Sequence, residues 1–174
     1  MIIPKSIEIK DFLSFDHAVV EFKNNETTCI MGRNLTEDNQ ESNGSGKSAL
    51  QAAIEFIYTG NVSRKVTKNK LIRRGADKAT IIHEAFNAVK NETLRIERTI
   101  PAKGSEKIKV FINNQQVDIA TTKDANDWIV DYIGISKEDI SNYFIPNEVN
   151  YTSFFNSPDT KKNCLLYTSD AADE

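Results

Sequence analysis

Asn43-Gly44-Ser45-Gly46-Lys47-Ser48 is the stretch on which the reading of this chain turns. Ahead of it, Thr27-Thr28-Cys29-Ile30-Met31 is a short, mostly apolar run that stops at Gly32, and it predicts a buried strand with Cys29 as a small core residue. Behind it, Ala49, Leu50, Ala53, Ile54 and Ile57 fall on one face at helical spacing, with Gly60 where a C-terminal cap belongs. Strand, glycine-punctuated loop and amphipathic helix, in that order, form the context a phosphate-binding loop demands. Glycines let backbone N–H groups approach phosphate oxygens without a Cβ in the way. The helix that follows points its positive end at the same anion. Lys47 then reaches the β- and γ-phosphates of ATP as a point charge, and Ser48 offers its hydroxyl to Mg²⁺. Asn43, Gly44, Ser45, Gly46, Lys47, Ser48 and Ala49 are therefore the candidate ATP-binding set. The plainer alternative is a glycine-rich helix start with a surface lysine.

One position departs from the pattern G-x-x-x-x-G-K-[ST]. Its first glycine falls at position 41, where this chain has Glu41, and the nearest candidate is Gly32, nine residues earlier. Leu35–Ser42 reads as an insertion that bulges between the strand end and the phosphate cradle.

Working outward, Ser6–Lys10 and Ala18–Phe22 have strand character, and strand signals return at Ala79–Phe86, Thr93–Ile100 and Lys107–Asn113. Helices are expected over roughly Lys123–Ile133 and Lys137–Tyr143, the second opened by Ser136 with Asp139 at capping spacing. Strands, one phosphate-type helix, more strands and then helices make a mixed α/β domain. The 174 residues are enough for one domain with a real core, and 39% apolar with 27% charged residues excludes disordered and fibrous classes. No apolar run approaches the roughly 20 residues that span a bilayer, and the start Met1-Ile2-Ile3-Pro4-Lys5 lacks a secretory stretch. With Cys29 and Cys164 as the only cysteines, no disulfide framework is expected, and the default compartment is a reducing cytoplasm.

Other chemistry-bearing residues are sparse. Arg64, Lys65, Lys68, Lys70, Arg73 and Arg74 form a basic run with no acid among them, which is what contact with a DNA phosphate backbone needs. A solvated face that keeps the domain soluble is the alternative of at least equal weight. His17 and His83 stand alone without metal-ligand spacing and read as structural; Trp128, Ile129 and Tyr132 read as core.

Residues 164–174, Cys-Leu-Leu-Tyr-Thr-Ser-Asp-Ala-Ala-Asp-Glu, resemble at every position a translated transposase adapter of the kind used in sequencing libraries. They are expected to be an artefact that packs against nothing specific, with 1–163 as the natural segment and front end of a longer chain. Without Asp170, Asp173 and Glu174 the net charge of −3 becomes zero.

The opening Ile7-Glu8-Ile9-Lys10-Asp11-Phe12-Leu13-Ser14-Phe15, the run ending in Met31-Gly32-Arg33-Asn34, and Ser42-Asn43-Gly44-Ser45-Gly46-Lys47-Ser48 resemble the amino-terminal ATPase lobe of SMC-like proteins. Among these the chain is most similar to SbcC-type ATPases, including phage recombination-nuclease subunits. The resemblance implies a P-loop NTPase fold: the amino-terminal lobe of an ABC-type head, with mixed sheets and a few helices, split from its other half by a long coiled coil. It implies that the signature motif, the Walker B carboxylates and the switch histidine lie in that distant half. It also implies a Q-loop, around Phe144-Ile145-Pro146-Asn147-Glu148, in which Asn147 stands where a Mg²⁺-contacting glutamine is expected. The function implied is an ATP-binding lobe of a DNA repair or recombination ATPase. Its cofactors are ATP and Mg²⁺, and its partners are DNA, a second copy of the head and a nuclease subunit, with no membrane. The alternative is a structural SMC- or RecF-like DNA clamp without a nuclease.

Overall fold

The computed structural model describes residues 1–24, 26–33, 45–63 and 66–141. Within them runs a six-stranded sheet, in which β1 (Ile2–Phe12) and β2 (Phe15–Glu21) form a hairpin. Helix α1 (Lys47–Thr59) and a 3-10 turn (Lys68–Leu71) follow. Next come β3 (Lys78–Asn87), β4 (Glu92–Pro101), β5 (Lys107–Ile112) and the short β6 (Gln115–Gln116). Helix α2 (Thr122–Ile133) and the short α3 (Lys137–Asp139) complete the described chain. The strand order is β2-β1-β3-β4-β5-β6, and every neighbouring pair is antiparallel.

Period-two alternation explains which face is buried. Ile7 and Ile9 on β1, Ala79 and Ile81 on β3, Leu94 and Ile96 on β4 and Val110 on β5 all point to one side. Leu50, Ala53, Phe56 and Ile57 of α1 and Ile129 of α2 cover that side. The opposite face carries charge pairs, such as Glu8 with Lys10 at 2.8 Å and Arg95 with Glu97 at 2.6 Å. Gly60 and Gly134 close α1 and α2 in the left-handed conformation, and their amides bond back to Phe56 and Val130. Ser136 caps α3 by accepting from the Asp139 amide at 3.1 Å.

One expectation fails. Residues 26–33 form no strand; Cys29 is exposed, and Ile30 and Met31 retain 48% and 87% exposure. An apolar run becomes a buried strand only where a neighbour offers an unpaired ladder and a covering layer. Thr27–Met31 pairs with none of the described strands, β2 at the sheet edge included, and nothing among the described residues covers it. Cys29 is therefore not a core residue. β2 is an edge strand of the sheet, and its Val19 is 56% exposed.

Two buried polar groups tie the layers together. Arg98, on the inward face of β4, is fully buried. Its Nε donates to the Ile57 carbonyl at 2.7 Å, Nη1 to Glu106 at 2.8 Å and Nη2 to Asn126 at 2.7 Å. One guanidinium thus joins the last turn of α1, the β4–β5 connection and α2. His83, on β3, donates from Nδ1 to the Ser6 carbonyl at 2.7 Å and accepts at Nε2 from the Tyr58 hydroxyl at 2.5 Å. That pairing satisfies the neutral ring completely, as expected of a structural histidine.

Burial pushes the His83 pKa down from the usual 6.5 to about 4. An unfolded chain takes up a proton near 6.5 that the folded ring refuses. Stability is therefore full above pH 6.5 and is lost as pH falls toward 4, by about 3 kcal/mol in total from this group. Carboxylates contribute to any acid unfolding, so the readout is a difference. In His83→Gln, the gap in midpoint from the parent is expected to narrow steadily between pH 7 and pH 4.5 in urea titrations. Parallel pH curves for the two proteins would contradict it.

Candidate nucleotide-binding site

Helix α1 begins at Lys47, and Gly46 caps it at φ 90° and ψ 0°, a left-handed geometry that favours glycine. The amides of Ala49 and Leu50 donate to the Gly46 carbonyl at 2.9 and 3.1 Å, so the helical ladder starts at once. Lys47 is half-buried and donates from Nζ to Ser45 Oγ at 3.1 Å, while Ser48 is exposed. The first turn of this 13-residue helix holds no acidic residue of its own, which suits its positive end to an anion.

Gly32 closes the other side. A Cβ built on it would lie 1.7 Å from Ser45 Oγ, 2.4 Å from Ser45 Cβ and 3.2 Å from Lys47 Nζ. The backbone at 32 therefore abuts the loop at a distance only glycine permits, although Gly32 lies far from the loop in sequence. Above Gly46 sits the β1–β2 turn: a Cβ at 46 would meet Ser14 Oγ at 3.2 Å and Phe15 Cζ at 3.3 Å. Two positions that reject a Cβ, an ammonium, a hydroxyl and a helix start make a donor set that fits a phosphate chain with its divalent cation. Sequence reasoning named Gly32 as the nearest glycine to the one missing at position 41, with an insertion between it and the cradle, but not its contact with Ser45. It missed the Ser14-Phe15 contact, whose signal is the placement of that turn directly after the first strand.

The other expected site residues divide. Asn43, Gly44 and Asn147 lie outside the described residues, as do Leu35–Ser42, Arg64, Lys65 and 164–174. Lys70 and Arg74 are exposed. Lys68 pairs with Glu106 at 2.5 Å, and Arg73 pairs with Asp11 at 2.7 Å and Asp16 at 3.1 Å. The basic run is free of acids along the sequence, but the fold supplies them to Lys68 and Arg73. Trp128 stacks on Tyr132 at 4.8 Å, with both rings packed against the core beside buried Ile129. Among the described residues no group of His, Cys, Asp and Glu is placed to hold a metal ion, and no helix is long and apolar enough to cross a membrane.

The family model described as AAA domain matches residues 6–171, and the chain belongs to that family. Its fold is that of the amino-terminal lobe of an SMC-like, ABC-type P-loop ATPase head: mixed α/β, with an antiparallel sheet and few helices. The chain is 28% identical over 166 residues to a DNA double-strand break repair Rad50 ATPase of Sulfurisphaera tokodaii, covering 92% of this chain and 18% of that protein. It is 29% identical over 104 residues to the DNA replication and repair protein RecF of Bifidobacterium adolescentis, covering 60% of this chain and 23% of that one. Two solved structures of the recombination mediator protein RecF, with ATPrS and with ATP, superpose with a TM-score of 0.49 at 20% and 19% identity. Each covers 68% of this chain, which in turn covers 28% of each.

Proposed function

We propose that this chain is the ATP-binding lobe of a DNA repair or recombination ATPase. The observation that carries the reading is the glycine-walled start of α1, where Gly32 abuts Ser45 and Lys47 and Gly46 caps the helix ahead of Lys47 and Ser48. Lys47 and the first amides of α1 hold the phosphates, and Ser48 is the candidate Mg²⁺ ligand, with Asn147 a second in the intact protein. The bound cation would neutralise charge developing on the phosphates. Gly32 stands in for the glycine missing at position 41. The finer reading is an SbcC-like head that pairs with a second copy of itself across ATP and regulates a nuclease subunit acting on DNA ends. Similarity to a Rad50 ATPase over 92% of the chain favours it. Similarity to RecF favours the second reading, a clamp without a nuclease. A calcineurin-type phosphodiesterase gene beside this one would decide for the nuclease.

Thermal unfolding tests the shared core of both readings. A ligand bound only by the folded state adds about 2.7 kcal/mol at a hundredfold excess over its dissociation constant. ATP with Mg²⁺ is therefore expected to raise the midpoint, and adenosine without phosphates is expected to leave it unchanged. Equal shifts from both would place recognition outside the phosphate cradle and overturn the reading. No steady hydrolysis is expected of these 174 residues alone, because positioning and charge stabilisation carry phosphoryl transfer and a second head is needed to complete them. Turnover that Lys47→Ala abolishes would show the site to be complete.

A further inference from the structure

We propose that Arg73 is a positioning residue for the phosphate-binding loop, acting through the β1–β2 turn. The proposal rests on the nucleotide reading above. The turn needs holding. Asp11 and Leu13 both sit at φ 51°, a region that residues with a Cβ avoid unless their surroundings impose it. The segment after the 3-10 turn imposes it. The Leu13 amide donates to the Leu71 carbonyl at 2.7 Å, the Arg73 amide donates to the Asp11 carbonyl at 2.8 Å, and Phe12 bridges Ile72.

The Arg73 side chain fastens the same turn from outside. Its Nε donates to Asp11 Oδ1 at 2.8 Å, and Nη2 lies 2.7 Å from Asp11 Oδ1 and 3.1 Å from Asp16 Oδ1. Asp11 precedes the turn and Asp16 follows it, so one guanidinium straddles both limbs of the hairpin. The tip between them, Ser14-Phe15, is what rests on Gly46. Contact therefore runs from Arg73 through the two carboxylates and the turn to Gly46, the residue that caps α1 ahead of Lys47. A planar fork suits two carboxylates at once; an ammonium at 73 would serve them only as a point charge.

Two features separate this role from simpler ones. Two carboxylates already neutralise Arg73, which makes it a poor partner for a DNA phosphate, unlike exposed Lys70 and Arg74 beside it. The pairs are also partly exposed, with side-chain values of 38% for Arg73 and 83% for Asp16, and pairs of that kind contribute little to global stability. Losing them is therefore expected to move the loop without unfolding the domain.

The test compares Arg73→Gln and Asp16→Asn with the parent 174-residue chain, alone and in a Phe15→Ala background. Without nucleotide, the amide resonances of Gly46, Lys47 and Ser48 are expected to shift in Arg73→Gln, and less in Asp16→Asn. Affinity for a fluorescent mant-ATP is expected to fall about fivefold in Arg73→Gln, and by less than about twofold once Phe15 is already alanine, because coupled residues are not additive. Amides that stay in place overturn the proposal whether or not nucleotide binds. Equal losses in both backgrounds overturn it too. A drop in duplex-DNA affinity with mant-ATP affinity intact would make Arg73 a DNA contact instead. Failure of the nucleotide reading looks different: the parent chain takes up no mant-ATP, while the amide spectra still report on the link between Arg73 and the loop.

Discussion

Arg98→Met is expected to destabilise the chain by about 3–5 kcal/mol, the range for breaking a buried ion pair from one side. The change keeps most of the volume and the apolar stem, so the loss is electrostatic. It strands the carboxylate of Glu106, whose side chain is only 5% exposed, and removes the donors to the Ile57 carbonyl and to Asn126. Lys68 also reaches Glu106, which limits the damage at that carboxylate. A double variant, Arg98→Met with Glu106→Gln, is therefore expected to lose less than the sum of the two single changes. Urea unfolding with constant slope measures all three. A loss below about 1 kcal/mol for Arg98→Met would place this guanidinium among dispensable surface charges, against its full burial.

Gly32→Ala is the second large effect, and it acts on the cradle. The new Cβ would stand 1.7 Å from Ser45 Oγ and 2.4 Å from Ser45 Cβ, so either the backbone at 32 or the loop must give way. Overpacking of this kind costs about 1–3 kcal/mol, and a shifted Ser45 also disturbs its bond to Lys47 Nζ. Nucleotide affinity is expected to fall at least about tenfold, the factor that 1.4 kcal/mol of misplacement produces. Both close atoms belong to the Ser45 side chain, so adding Ser45→Gly should restore much of the affinity. Unchanged binding in Gly32→Ala would separate Gly32 from the site.

What was legible in the sequence follows from the range of each signal. β3, β4 and β5 announce themselves because one face of each is apolar at period two, and α1 and α2 because a glycine stops each amphipathic run. These signals are local, and so are the structures they specify. Thr27–Met31 shows the limit: its apolar content is visible, but a strand also needs a paired neighbour and a covering layer, and pairing is a long-range property. The basic run shows the same limit for charge. Glu106 reaches Lys68 from 38 residues away and Asp11 reaches Arg73 from 62, so neither ion pair can be read from neighbouring residues. Arg98 is detectable only in part: an arginine between Ile96 and Ile100 breaks the inward apolar pattern of β4, but its three partners lie on three other segments. At the site, Lys47 and Ser48 at the helix start were legible from motif and context. Gly32 was legible as the nearest glycine to the one missing at position 41; its contact with Ser45 was not, because that depends on the path of the backbone.

The central claim is that Lys47 and the glycines around it hold a nucleoside triphosphate, and calorimetric titration of the chain with Mg²⁺-ATP before and after Lys47→Ala tests it most directly. Lys47 is only half-buried and stands at the first position of α1, so its loss should leave the thermal midpoint nearly unchanged. The account predicts saturable binding by the parent chain and a loss of about a hundredfold or more in the variant, the scale of a charge-assisted contact to phosphate of about 2.7 kcal/mol. Equal affinity in the two proteins, with both folded, would contradict it.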